Sequence, residues 1–110
     1  MSERDDDLFL MVNLYPARTG LPMTVWAGPR GKARHAPRIK VNMAHGNRMD
    51  LDNTAVVGLL PSPHLIAGSL SAADRDAVFA WVELNRDALL EHWNGAIDGG
   101  EMAARSRPLP

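Results

Sequence analysis

A chain of 110 residues, 45% hydrophobic and 23% charged, has the length of one domain and enough apolar side chains for a core of its own. Cysteine is absent, which excludes a disulfide framework and thiolate zinc sites, and no apolar run approaches the ~18–20 residues of a membrane span. The formal charge of −1 conceals opposed segments: residues 1–7 carry −3, residues 8–49 hold seven cations and no acid, and residues 50–110 set nine acids against four arginines.

In chain order, residues 1–10 read as an acidic appendage, disordered on charge alone, and residues 11–110 as a single α+β domain. Met11 to Pro16 could serve as an alternative start. Met23-Thr24-Val25-Trp26 is rich in β-formers and bounded by Gly20 and Pro22 before it and Gly28-Pro29 after it, the marks of a strand. Pro29-Arg30-Gly31 reads as a turn. Arg38 to Met43 alternates with period two, which puts Ile39, Val41 and Met43 on one face and Arg38, Lys40 and Asn42 on the other. This predicts a half-buried strand with a basic outer face. Residues 45–53 form a turn-rich loop, Thr54 to Leu60 an apolar β-branched run, and His64 to Gly68 a short return strand after Pro61-Ser62-Pro63.

The last third changes period. Ser71 to Asp74 resembles a capping box, and Ala77, Val78, Trp81, Val82, Asn85, Ala88, Leu89, His92 and Trp93 recur at three- and four-residue steps, one apolar stripe of a helix. The helix is expected from about 72 to 93, roughly 33 Å long, stopped by Asn94-Gly95. A short helical segment is expected at Glu101 to Arg105. The fold class that results is α+β: an antiparallel sheet of four or five strands with one long C-terminal helix packed across a face. Asn85 is the polar member of the stripe, so its amide is expected to bond backbone outside its own helix.

The chemistry-bearing residues form no familiar constellation. His35, His45, His64 and His92 lack the i, i+4 spacing common in zinc sites. His45 with Asp50 and Asp52 could hold an ion across one loop, but Asp50, Asp52 and Asn53 are also ordinary turn formers. Gly28, Gly31 and Lys32 lack the frame of a phosphate loop and the hydroxyl that follows its lysine. Catalytic residues, a metal and a cofactor are therefore not assigned. A small hydrolase or nuclease using His35, His45 and Asp50 or Asp52 stands as the alternative to a binding protein.

The helix pattern Trp81-x3-Asn85-x3-Leu89-x3-Trp93 resembles the C-terminal signature of a family of very small bacterial proteins known as a domain of unknown function. That family carries an N-terminal His-x-Pro-Pro-His-x-His-Val strand. Here the chain reads His35-Ala36-Pro37-Arg38-Ile39-Lys40-Val41: His35, Pro37 and Val41 fit the frame, and Arg38 and Lys40 stand where the family has histidines. The runs Asn13 to Pro16, Thr19 to Met23 and His45-Gly46-Asn47 resemble uncharacterised proteobacterial proteins found on plasmids and other mobile elements. The resemblance implies a stand-alone accessory domain of a toxin–antitoxin-like setting, and an inhibitor of a nucleic-acid-guided defence nuclease is one form of it.

The acid-free stretch adds an electrostatic expectation. Arg30, Lys32, Arg34, Arg38 and Lys40 would meet an anionic partner, either nucleic acid or an acidic protein surface, in the cytoplasm and away from membranes. Self-association as a homodimer stays open. The competing expectation is internal: the same cations could pair with Asp74, Asp76, Glu83 or Asp87 of the helix.

Overall fold

In the computed structural model, residues 11–31 and 34–110 are described; the expectation for residues 1–10 and the position of Lys32 lie outside them. Five strands follow one another as a meander: β1 (Val12–Leu14), β2 (Val25–Ala27), β3 (Arg38–Asn42), β4 (Thr54–Gly58) and β5 (His64–Ala67). They pair antiparallel in the order β1-β2-β3-β4-β5, as short connections between consecutive strands favour. Among the described residues three helices accompany them: α1 (Pro16–Thr19), α2 (Ala72–Trp93) and α3 (Gly99–Arg105). The α+β class and the long helix are as the periodicities predict.

Two strand readings are refined. Val12–Leu14, read only as a possible start, is the first strand of the sheet, paired Val12 to Ala27 and Leu14 to Val25. Three residues are too few for period two to stand out. The run Thr54 to Leu60 is a strand only as far as Gly58, after which Leu59 N–H donates to the Pro37 carbonyl at 3.0 Å. The turn Pro16–Thr19 begins with proline, whose missing N–H costs nothing at a helix start, and ends at Gly20 with φ 76°. A Cβ at Gly20 would also come within 2.9 Å of the Leu109 carbonyl oxygen, so both backbone and space call for glycine there.

One face of the sheet forms the core. Leu14, Val25, Ala27, Ile39, Val41 and Val57 join Val78, Trp81, Val82 and Leu89 of α2 in one buried cluster, with Met102 of α3. Every member of the predicted stripe is buried except Ala77, which is partly so. Trp81 is 0% exposed and its indole N–H finds no acceptor among the described residues. Burial of each large apolar side chain contributes about 1.5–3 kcal/mol, which is how the stripe holds α2 to the sheet.

Asn85 does what its place in the stripe requires. Its Nδ2 donates to the Arg107 carbonyl at 3.0 Å and to the Trp81 carbonyl at 3.0 Å, and its Oδ1 accepts from Arg107 N–H at 2.6 Å. The amide thus clasps the C-terminal tail, which continues to Leu109, whose N–H donates to the Thr19 carbonyl at 2.8 Å. Helix, tail and α1 are tied in sequence by these bonds.

Candidate functional site

The basic strand lies as its alternation predicts, with one correction. Ile39 and Val41 are buried in the core, while Lys40 is exposed and Arg38 half-buried on the opposite face. Asn42, expected outward beside them, is 0% exposed. The loop after β3 folds back over it: Asn42 Nδ2 donates to the Ala44 carbonyl at 2.8 Å, and its Oδ1 accepts from Asp50 N–H at 3.0 Å. A strand's period sets which side a residue faces, but not whether a loop then covers that side.

Lys40 stands directly across the register from Trp26 of β2, with its ammonium 5.6 Å from the ring centroid. Trp26 is only 8% exposed, so the indole supports the lysine by a cation–π contact and offers little face for stacking a base. Arg38 Nε–H donates to the Ala36 carbonyl at 3.2 Å, which holds the guanidinium near the start of the strand.

Arg30 and Arg34 belong to the β2–β3 connection, and both are exposed. That connection is anchored to the end of α2: Arg30 N–H donates to the Trp93 carbonyl at 2.7 Å, and the His35 ring packs on Trp93 with centroids 5.5 Å apart. Cations near a helix C-terminus are favoured by the backbone carbonyls exposed there. Arg38 and Lys40 are brought together on the sheet by the strand's period, whereas Arg30 and Arg34 stand in the connection near the end of α2.

The acids expected as internal partners are engaged elsewhere or lie apart. Asp74 pairs with His45 at 2.8 Å, Asp76 with Arg75 at 3.3 Å and Glu83 with Arg86 at 2.6 Å. Glu91 pairs with Arg105 at 2.6 Å, and Glu101 lies 3.7 Å from the same guanidinium. Among the described residues, Arg34, Arg38 and Lys40 make no ion pair with any carboxylate. Internal compensation of Arg38 and Lys40 by α2 is not the arrangement found.

The hydrolase alternative needs His35, His45 and Asp50 or Asp52 at one place. His35 packs against Trp93 and His45 bonds Asp74, nineteen helical positions apart, or about 28 Å along the axis at 1.5 Å per residue. Asp50 Oδ1 accepts from Asp52 N–H at 3.1 Å, a side-chain turn, as acids in such loops commonly make. Among the described residues, no three His, Asp or Glu side chains converge as a metal site would need.

Two features escaped sequence reasoning. His92 is 3% exposed, and burial holds its imidazole below the usual histidine range, with Asp98 pulling it partly back. Its i+4 place in the stripe marks burial but not the neighbour that tunes it. A surface groove of about 500 Å³ is lined by Glu83, Asn85, Arg86, Asp87, Arg105 and Arg107 among others. Cations and acids both line it; Arg86 is paired with Glu83 within it and Arg105 with Glu91 outside it, so it carries no dominant charge. No protein family, curated protein or solved structure matches the chain, so the site stands on its own geometry. No helix among the described residues is long and apolar enough to cross a membrane.

Proposed function

We propose that this chain is a small binding protein that engages an anionic partner through the outer face of β3 and the connection leading into it. It acts by occupying that partner rather than by chemistry on it. One observation carries the reading: Arg38 and Lys40 sit side by side on an outward strand face, without a carboxylate partner among the described residues, while the acids of α2 are engaged elsewhere or lie apart. The acid-free run of residues 8–49 extends the same sign over the flanking loop, where Arg34 stands and Arg30 is exposed. Such a field speeds encounter with a phosphate backbone or an acidic protein surface. The resemblance to accessory proteins of mobile elements fits this mode of action, including inhibition of a nucleic-acid-guided nuclease by covering its guide-binding or target-binding surface.

Gel-shift titration on duplex DNA and on single-stranded RNA at two salt concentrations is the test. For duplex DNA, log affinity should fall with log salt by about 0.9 for each phosphate neutralised. Arg38→Glu with Lys40→Glu should weaken binding and flatten that slope by about 2. The melting temperature of the double variant should fall only slightly, through loss of the Lys40–Trp26 and Arg38–Ala36 contacts, because neither side chain enters the core. If neither nucleic acid binds at low salt, an acidic protein surface remains as the partner. A double variant with unchanged binding to whichever partner is found overturns the reading.

A further inference from the structure

The sheet has two edges, and the chain treats them differently. At β1, Val12 packs against the start of α3: its Cγ2 would lie 2.5 Å from a Cβ built on Gly99. Beyond it, the tail is bonded to α1 and α2. At the other edge, β5 pairs among the described residues with β4 alone, and all four of its residues are exposed. Leu65 and Ile66 are 39% and 40% exposed, and Leu60, just before the turn into β5, is 40% exposed.

The surrounding sequence is unusual for an open edge. From Asn53 to Ala73 there is no Asp, Glu, Lys or Arg, in a chain that is 23% charged. Proteins guard an open edge with charged side chains, proline, bulges or a very short strand, because unpaired N–H and C=O groups invite another strand. Here Pro63 and a register shift between Val56 and Val57 shorten the strand, but no charge protects it. The rest of the surface is strongly signed, basic on β3 and mixed on α2.

We infer that β5 is the interface of a homodimer, in which a second copy of this chain pairs its own β5 antiparallel to the first across a two-fold axis. The lack of charge admits this occupant: charged side chains on an edge repel an identical edge across a two-fold, and residues 53–73 carry none. An isologous contact of this kind also closes on itself, and so avoids open polymerisation. Four paired residues with their flanking loops make a small interface, and a weak, concentration-dependent dimer is expected.

The two-fold axis of a continuous antiparallel sheet is perpendicular to it. Both β3 outer faces therefore lie on the same side of a ten-stranded sheet, five strand spacings or roughly 24 Å apart. The value of this doubling for partner binding rests on the function proposed above; the dimer itself does not.

Sedimentation velocity on the full chain, from about 1 μM to about 500 μM, should show the mass rising from monomer towards twice that value. Ile66→Lys, at an exposed position, should weaken dimerisation at least tenfold and keep the wild-type melting curve at concentrations where the wild type is monomeric. Leu84→Lys, on the exposed face of α2, should dimerise as the wild type does. Because the chain has no cysteine, Ile66→Cys treated with a short bis-maleimide reports the contact directly, and a covalent dimer is expected. A wild type that stays monomeric throughout overturns the inference. So does a dimer untouched by Ile66→Lys, or one abolished by Leu84→Lys, or an Ile66→Cys chain that does not cross-link. If the dimer forms and no anionic partner binds, the inference survives and the proposed function does not.

Discussion

Asn85 and His92 lie on the same buried stripe of α2, and polar groups there must be either bonded or neutral. Asn85 takes the first course, with three hydrogen bonds to Trp81 and Arg107. Asn85→Leu should therefore cost about 1–3 kcal/mol by leaving the Arg107 backbone unpaired, and amide exchange at Arg107 and Leu109 should speed up. Ending the chain at Arg105 should cost a similar amount, and the two changes together less than their sum, because they remove the same bonds. Additive losses measured by denaturant titration would show that Asn85 acts by packing alone. His92 takes the second course. Its folded-state pKa is lowered by burial, so the unfolded chain binds the extra proton first. Stability from this group is present above the unfolded value of about 6.5 and is lost as pH falls through that value towards the lowered one. His92→Gln should flatten the melting temperature between about pH 7 and pH 5, whereas an unchanged slope would assign the acid sensitivity to other groups.

The ends of α2 and α3 are set by side chains that satisfy backbone N–H groups left over at a helix start. Ser71 Oγ accepts from Asp74 N–H at 3.1 Å, and Asp98 Oδ1 accepts from Glu101 N–H at 2.8 Å. Ser71→Ala should cost about 1 kcal/mol and Ser71→Asp almost none. Asp98 has a second role, because its charge raises the His92 pKa against burial. Asp98→Asn keeps a capping oxygen and removes the charge, so it should lower the His92 pKa further with little loss of stability at neutral pH. A proton titration of His92 followed by NMR checks this, and an unmoved midpoint would mean that Asp98 is too well solvated to matter. The strands are held differently. β2, β3 and β4 are buried on their inner face by α2, whereas β5 rests on β4 alone and is exposed throughout. In the monomer, β5 should therefore be among the first elements to exchange its amides.

Across the whole molecule, charge is sorted by element. Cations concentrate on β3 and the connection before it, carboxylates on α2 and α3, and uncharged residues on β4 and β5. The helix acids mostly pair with arginines and a histidine near them, at Arg75, Arg86, Arg105 and His45. Most of these pairs are exposed, and individually they contribute ~0–1 kcal/mol. Their larger effect is to leave Arg38 and Lys40 uncompensated.

The long helix, its buried stripe and the facing of Ile39 and Val41 were all legible in the sequence. Each is a periodicity of one element, 3.6 for α2 and 2 for β3, and depends on nothing outside that element. The requirement that Asn85 find a partner was legible as well, since it follows from burial alone. Its partner was not: Arg107 is 22 residues away, and only the path of the tail brings it there. The same holds for Asn42, whose side was predicted but whose cover depends on the 43–53 loop. It holds for His45, which finds Asp74 rather than the acids of its own loop, and for β1, which is too short to announce itself. Which cations stay unpaired and which sheet edge stays open were decided by tertiary structure, because both are properties of how distant elements meet. A sequence specifies local period through neighbouring residues, whereas partners, cover and exposed edges arise from contacts the chain makes only once it has closed on itself.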